Sequence, residues 1–235
     1  MTSPVAGPIL ALDSSTRGGS VAVGVDGRIA AERVLEAAAG ASSLLMPAVD
    51  EAVRAAGLAP RDLAAVAVSG GPGSFTGLRI AAATAKAIVR ALDVPLFAWS
   101  GLLAAAATLR DVDHPICTLF DARNREVFAG CWRFGGDEVE ELLAPRILRV
   151  DEVIEHLRDV TPVFTGDGAA LHAAELRAAC GNDAVAAQGD ESRAAGLLWL
   201  ARAVPESGRV ADAAAWEPEY LRASGAERIA AARGA

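Results

Sequence analysis

The chain has 235 residues, 52% of them hydrophobic and 22% charged, enough to enclose a substantial core in one large domain or two small ones. A net charge of −8, with 22 scattered basic residues that are nearly all arginine, argues against a protein that grips a nucleic-acid backbone unaided, since that needs clustered cations to neutralise phosphates. The longest uncharged run, Val94–Leu109, has 16 residues and contains Pro95, Ser100 and Gly101, short of the roughly 20 apolar residues that cross a bilayer. Met1–Pro8 carries neither the basic stretch nor the apolar core of an export signal, so a cytoplasmic location is expected. Cys117, Cys131 and Cys180 are an odd set without a CxxC pair, which points to neither a disulfide framework nor a zinc site.

In chain order, Ile9–Asp13 reads as a buried strand, followed by the polar turn Ser14–Gly19 and a returning strand, Ser20–Val25. Asp26-Gly27 is a hairpin signal leading to a third strand, Arg28–Leu35. Ser42 or Ser43 caps the next segment, where Leu45, Val49 and Val53 recur every four residues in an amphipathic helix that ends near Gly57. A buried strand, Leu63–Ser69, runs into Gly70-Gly71-Pro72-Gly73. A long alanine-rich helix follows, from about Thr76 to Leu92. Leu96–Trp99 is a short strand and Gly101–Leu109 another apolar helix.

The pattern then starts again. Ile116–Asp121 is a strand, 122–125 a polar turn, and Glu126–Arg133 a returning strand. Asp121 stands 108 residues after Asp13, and each closes a short, largely apolar run, so the strand–Asp–turn–strand unit reads as a weak duplication. A helix around Val150–Leu157, a strand at Pro162–Thr165, the turn Gly166-Asp167-Gly168 and a helix to about Ala179 follow, then a short strand at Ala184–Ala187. Ser192 caps an apolar helix running to Val204, and Trp216–Arg222 is extended. Beyond Ser224 nothing suggests core. This order predicts an α/β protein of two lobes with mixed sheets.

The segment Ser69–Arg79 joins a strand to a helix through glycines. It is neither a Walker A loop, lacking Gly-Lys-Ser/Thr, nor a Rossmann fingerprint, since Thr76 stands where the third glycine belongs. A structural turn and a binding turn remain equally open on these residues. Only His114, His156 and His172 are present, none four apart, so no helix face offers a two-histidine metal site, and no metal is expected. No Ser-His-Asp or Cys-His arrangement can be assembled either. Cys117 and Cys131 lie symmetrically about Asn124 and are expected to face each other, reduced, across the second hairpin.

Gly71-Pro72-Gly73-Ser74-Phe75-Thr76-Gly77-Leu78-Arg79 closely resembles the signature of the TsaB (YeaZ) family. Three further pieces agree in order and spacing: Leu10–Thr16, Asp121–Val127 and Pro218-Glu219-Tyr220-Leu221-Arg222. The chain departs from the family pattern at Ala41, where a histidine is common, and at Phe128, where a tyrosine is. The resemblance implies the duplicated, two-lobed actin/Hsp70-like (ribonuclease H-like) fold. The lobes are expected at 1–108 and 109–235, with the tail a candidate to return to the first. Asp13 and Asp121 then occupy the two phosphate hairpins of the superfamily. With Gly71 and Gly73 they form a vestigial nucleotide site, or each aspartate simply caps its own turn.

The resemblance further implies a subunit with no chemical step, no cofactor and no catalytic residue. TsaC makes threonylcarbamoyl-adenylate from threonine, bicarbonate and ATP, and TsaD transfers the threonylcarbamoyl group to the tRNA adenosine beside the anticodon. A chain of this family pairs with TsaD, or with itself when TsaD is absent, while the ATPase TsaE acts on the assembly and tRNA is met only through the complex. The expected contact face is Leu45, Met46, Val49, Val53, Ile80, Thr84 and Ile88, with Ala81, Ala85 and Ala87 permitting close helix approach. The competing expectations are a stand-alone ATPase or kinase using Asp13 and Asp121, and a glycoprotease-like enzyme.

Overall fold

The computed structural model describes residues 5–16, 18–35, 41–186 and 192–222, and in 41–43 the backbone alone. Arg17, the side chains of Ala41, Ser42 and Ser43, Ala187 and Ser224 lie outside what is described.

Strands β1 (Ile9–Asp13), β2 (Gly19–Val25), β3 (Arg28–Leu35), β4 (Ala65–Ser69) and β5 (Leu96–Trp99) form one sheet in the order β3-β2-β1-β4-β5. The first three run antiparallel, and β4 and β5 join parallel to β1. The β2–β3 turn places Asp26 and Gly27 at φ 49° and 75°, the left-handed pair that a two-residue hairpin demands. A second sheet repeats the order with β6 (Ile116–Arg123), β7 (Glu126–Gly135), β8 (Glu138–Arg149) and β9 (Val163–Thr165), arranged β8-β7-β6-β9. β6 pairs antiparallel with β7 and parallel with β9, as β1 does with β2 and β4. A single parallel bridge, Phe164–Val185, stands where a fifth strand would lie. That bridge is all the described residues hold of the strand expected at 184–187.

β8 has no counterpart in the apolar periodicity of the sequence. Its twelve residues, EVEELLAPRILR, mix charge with apolar positions and include Pro145, and its pairing with β7 is broken by register shifts. A sheet-edge strand tolerates such a sequence, because one side of it needs no hydrogen-bonding partner.

Alternation along the strands sorts the first lobe's core. Leu10, Leu12, Val21, Val23, Val66 and Val68 face helices α1 (Ala41–Ala55) and α2 (Phe75–Leu92) on one side. Ile9, Ala11, Ala22, Ala65 and Ala67 face α3 (Gly101–Thr108) and α7 (Arg193–Ala203) on the other. The late helix α7 therefore packs on the first sheet. α3 turns Ala104 and Ala107 to that sheet and Leu102, Ala105 and Ala106 to Ile116, Phe120 and Trp132 of the second. The second sheet also covers α4 (Val150–His156), α5 (Asp167–Leu171) and α6 (Ala173–Cys180), and α8 (Pro205–Gly208) follows α7. Cys117 and Cys131 are direct cross-strand partners, both buried and unbonded as thiols. Burial, reinforced by the Cys131 thiol beside it, pushes the Cys117 thiol well above the ordinary cysteine range.

Candidate functional site

Asp13 ends β1 with no exposed surface. Its Oδ1 accepts from Ser15 Oγ at 2.6 Å and from Ser15 N at 3.3 Å. Its Oδ2 accepts from Arg193 Nε at 2.6 Å. The same guanidinium donates from Nη2 to the carbonyl of Gly18 at 3.0 Å, so Arg193 joins the two strands of the first hairpin at its neck. It also stands 5.9 Å from the centre of the Phe120 ring of the second sheet. Both carboxylate oxygens are thus bonded from within the chain, and the negative charge is already met by an arginine.

The glycine segment is built against that hairpin. Ser74 caps α2, accepting from Gly77 N at 3.3 Å, while Ser74 N donates to Ser15 O at 2.6 Å. Ser14 Oγ donates to the Gly77 carbonyl at 2.7 Å. A Cβ at Gly73 would strike Ser15 O, and one at Gly77 would strike Ser14 O. These glycines therefore serve close approach of backbone to backbone, and the N-terminus of α2 faces Ser14 and Ser15 in the place a phosphate takes in a binding turn. On the other side Glu219 N donates to Gly70 O at 2.7 Å, and Glu219 O lies against Gly71, whose φ is 107°.

The second hairpin is open. Asp121 is exposed, and its Oδ1 accepts from Arg123 N at 2.7 Å, a turn-capping bond. Arg123, Asn124 and Arg125 occupy the left-handed region in succession, with φ of 64°, 54° and 63°. Here too an arginine closes the neck. Arg222 donates to the Ala122 carbonyl from one nitrogen and to the Glu126 carboxylate from another. Each hairpin is stapled across its strands by one guanidinium from late in the chain. Asp13 and Gly73 both lie against Ser15, and Gly71 lies against Glu219. Arg193 carried no signal in the sequence. Arg222 lay inside a recognisable motif, but nothing local shows which hairpin it reaches.

The expected contact face divides. Leu45, Val49 and Val53 are 0%, 6% and 3% exposed and belong to the core under the first sheet, as do Ala81 and Ala85, so these side chains cannot meet a partner of the folded chain. Their four-residue spacing marks the stripe of α1 that faces the sheet; burying each such side chain stabilises the fold by about 1.5–3 kcal/mol. Met46, 51% exposed, lies outside that stripe. Ile80, Thr84 and Ile88 are half-buried on α2, beside an exposed row of Phe75, Arg79, Ala83, Ala87 and Arg90.

Among the described residues no group of three or more His, Cys, Asp or Glu is placed to hold a metal, and no helix is long and apolar enough to cross a membrane.

The architecture and the paired hairpins define a two-lobed protein of the actin-like class. Residues 35–229 match the family model described as TsaD, tRNA N6-adenosine threonylcarbamoyltransferase. The tRNA threonylcarbamoyladenosine biosynthesis protein TsaB of Bacillus subtilis is 30% identical over 224 residues, covering 93% of this chain and 96% of that one. The protein of the same name from Escherichia coli is 31% identical over 150 residues, covering 60% of this chain and 64% of its own. A crystal structure from Pseudomonas aeruginosa, of a protein with similarity to the peptidase YeaZ, superposes with a TM-score of 0.78 at 26% identity, over 92% of this chain and all of that one. The chain belongs to the TsaB (YeaZ) family, and the TsaD family model matches most of it as well.

Proposed function

We propose that this chain acts in the synthesis of threonylcarbamoyladenosine in tRNA as a non-catalytic partner of a TsaD-like transferase. The observation that supports the non-catalytic reading is the first hairpin. An aspartate that served nucleotide chemistry would have to reach phosphate or its metal, whereas Asp13 is buried and paired with Arg193. Its relatives' names supply the pathway. The lobes are taken as 1–108 and 109–235, with helix α7 returned to the first. The docking face is Met46, Ile80, Thr84 and Ile88 with the exposed row of α2. Binding there biases the partner toward its competent conformation through contacts made in that conformation alone. TsaE acts on the assembled pair, tRNA is met through the complex, and the location is cytoplasmic. A homodimer through the same face competes with the heterodimer.

The test is a reconstituted modification assay with the organism's TsaC, TsaD and TsaE, reading the modified nucleoside by mass spectrometry. Modification that requires this chain, and survives Asp121→Ala and Arg193→Lys, is the expected result. Modification indifferent to the chain overturns the reading. ATP turnover by the isolated chain would favour the ATPase instead.

A further inference from the structure

Within six residues, Glu217–Arg222 touches three parts of the molecule. Glu217 Oε1 pairs with Lys86 Nζ of α2 at 2.9 Å. Glu219 bonds to Gly70, as described above, and the Tyr220 ring lies 5.0 Å from that of Phe75 at an angle of 43°. Leu221 packs with the cluster of Ile116, Phe120 and Phe128, and Arg222 staples the second hairpin. The segment has no helix or strand of its own, so these anchors alone determine its path.

It also completes a surface. Phe75 and Tyr220 are 37% and 36% exposed, and the guanidinium of Arg79 sits 4.9 Å over the Phe75 ring. Aromatic rings with an arginine are the composition of interface anchors. The patch opens onto the exposed row of α2, which carries Arg79 and Arg90, while Lys86 beside it is already paired with Glu217. A partner protein with an apolar groove rimmed by carboxylates would complement these arginines.

We propose that Glu217–Arg222 is a coupling strap. Anchored on the second hairpin by Arg222, it holds Tyr220 against Phe75 and so shapes one end of the surface on which an acidic-rimmed protein partner docks. The inference rests on the reading of α2 as the docking face. Arg222 is its positioning residue, and Tyr220 and Phe75 are the residues that touch the partner.

The experiment titrates the full chain against its TsaD partner by calorimetry, with Arg222→Ala, Arg222→Lys, Tyr220→Ala and Ile80→Asp, and follows amide exchange of the free chain. Tyr220→Ala should weaken binding about tenfold or more. Arg222→Ala should weaken it as well and speed exchange at 70–80, outside the hairpin that loses the bonds, with Arg222→Lys intermediate. Faster exchange confined to 121–127 with unchanged partner affinity overturns the strap. If Tyr220→Ala leaves partner affinity intact but lowers the affinity of the assembled pair for an anticodon stem-loop RNA, the patch faces RNA and the proposal falls. If Ile80→Asp also leaves binding intact, the docking-face reading falls with it. If Ile80→Asp abolishes binding while the strap variants do not, the strap alone is wrong.

Discussion

The two hairpins of this protein descend from one pattern and have been put to different uses. At the first, Asp13 is buried, bonded twice by Ser15 and paired to Arg193, and the glycine segment is packed against it. At the second, Asp121 is exposed, its carboxylate closing its own turn and its N–H donating to Asp167 Oδ1, while Arg222 fastens the neck. The difference is one of dielectric and density. A duplicated unit that ends in an aspartate can become part of a core if a cation is buried with it, or remain a surface turn if none is. In this chain the first hairpin is structural framework, and the second is the one with surface left to use.

That contrast can be broken in the first hairpin at high cost. Asp13→Ala leaves the mostly buried Arg193 guanidinium without its counter-ion, and urea titration should show a loss of about 3–5 kcal/mol. The double change Asp13→Leu with Arg193→Met should recover most of it, because an apolar pair of similar volume carries no desolvation penalty. A result in which Asp13→Ala costs under about 1 kcal/mol would mean the hairpin is not sealed.

Crowding at the glycine segment gives a smaller effect. Gly77→Ala sets a methyl group against the Ser14 carbonyl and should destabilise by about 1–3 kcal/mol, although alanine is the better helix former elsewhere. At Gly136 nothing lies within 4 Å of an added Cβ, and only its φ of 63° resists substitution. Gly136→Ala should therefore lose about 1–2 kcal/mol, from backbone strain alone. Equal losses from packing at both sites would erase the distinction between close approach and turn geometry.

At the second hairpin Asp121→Ala removes one exposed turn bond and should cost about 1 kcal/mol or less in the same titration. The smallest effect is chemical. The raised pKa of the Cys117 thiol keeps it protonated through neutral pH, and Cys131 is buried beside it. Both should resist iodoacetamide at pH 8 in the folded protein and react once urea unfolds it, since the thiolate is the nucleophile. Rapid labelling of Cys117 in the native state would show that the second sheet opens more readily than its packing suggests.

Much of the architecture could be read from residue order. The apolar runs that end at Asp13 and Asp121, their returning strands and the glycine segment all placed β-strands and helices where the structure has them. β8 could not be read, because an edge strand half-exposed on both faces leaves no period of two. The site was legible in part. Asp13 and Gly73 both lie against Ser15, whereas Gly71 lies against Glu219, and Leu45, Val49 and Val53 are core, since an i, i+4 stripe reports a buried helix face without saying what buries it.

What the sequence determined by itself is local and periodic: most of the strands, the helix cap at Ser192, the left-handed Asp26-Gly27 turn, and the duplication of one unit 108 residues on. Only the tertiary structure decided which of two equivalent aspartates is sealed and which is free. That outcome depends on Arg193 and Arg222 arriving from 180 and 100 residues away in the chain. A buried ion pair is worth forming only where packing has already excluded water and set the geometry, and no local pattern of residues carries that information.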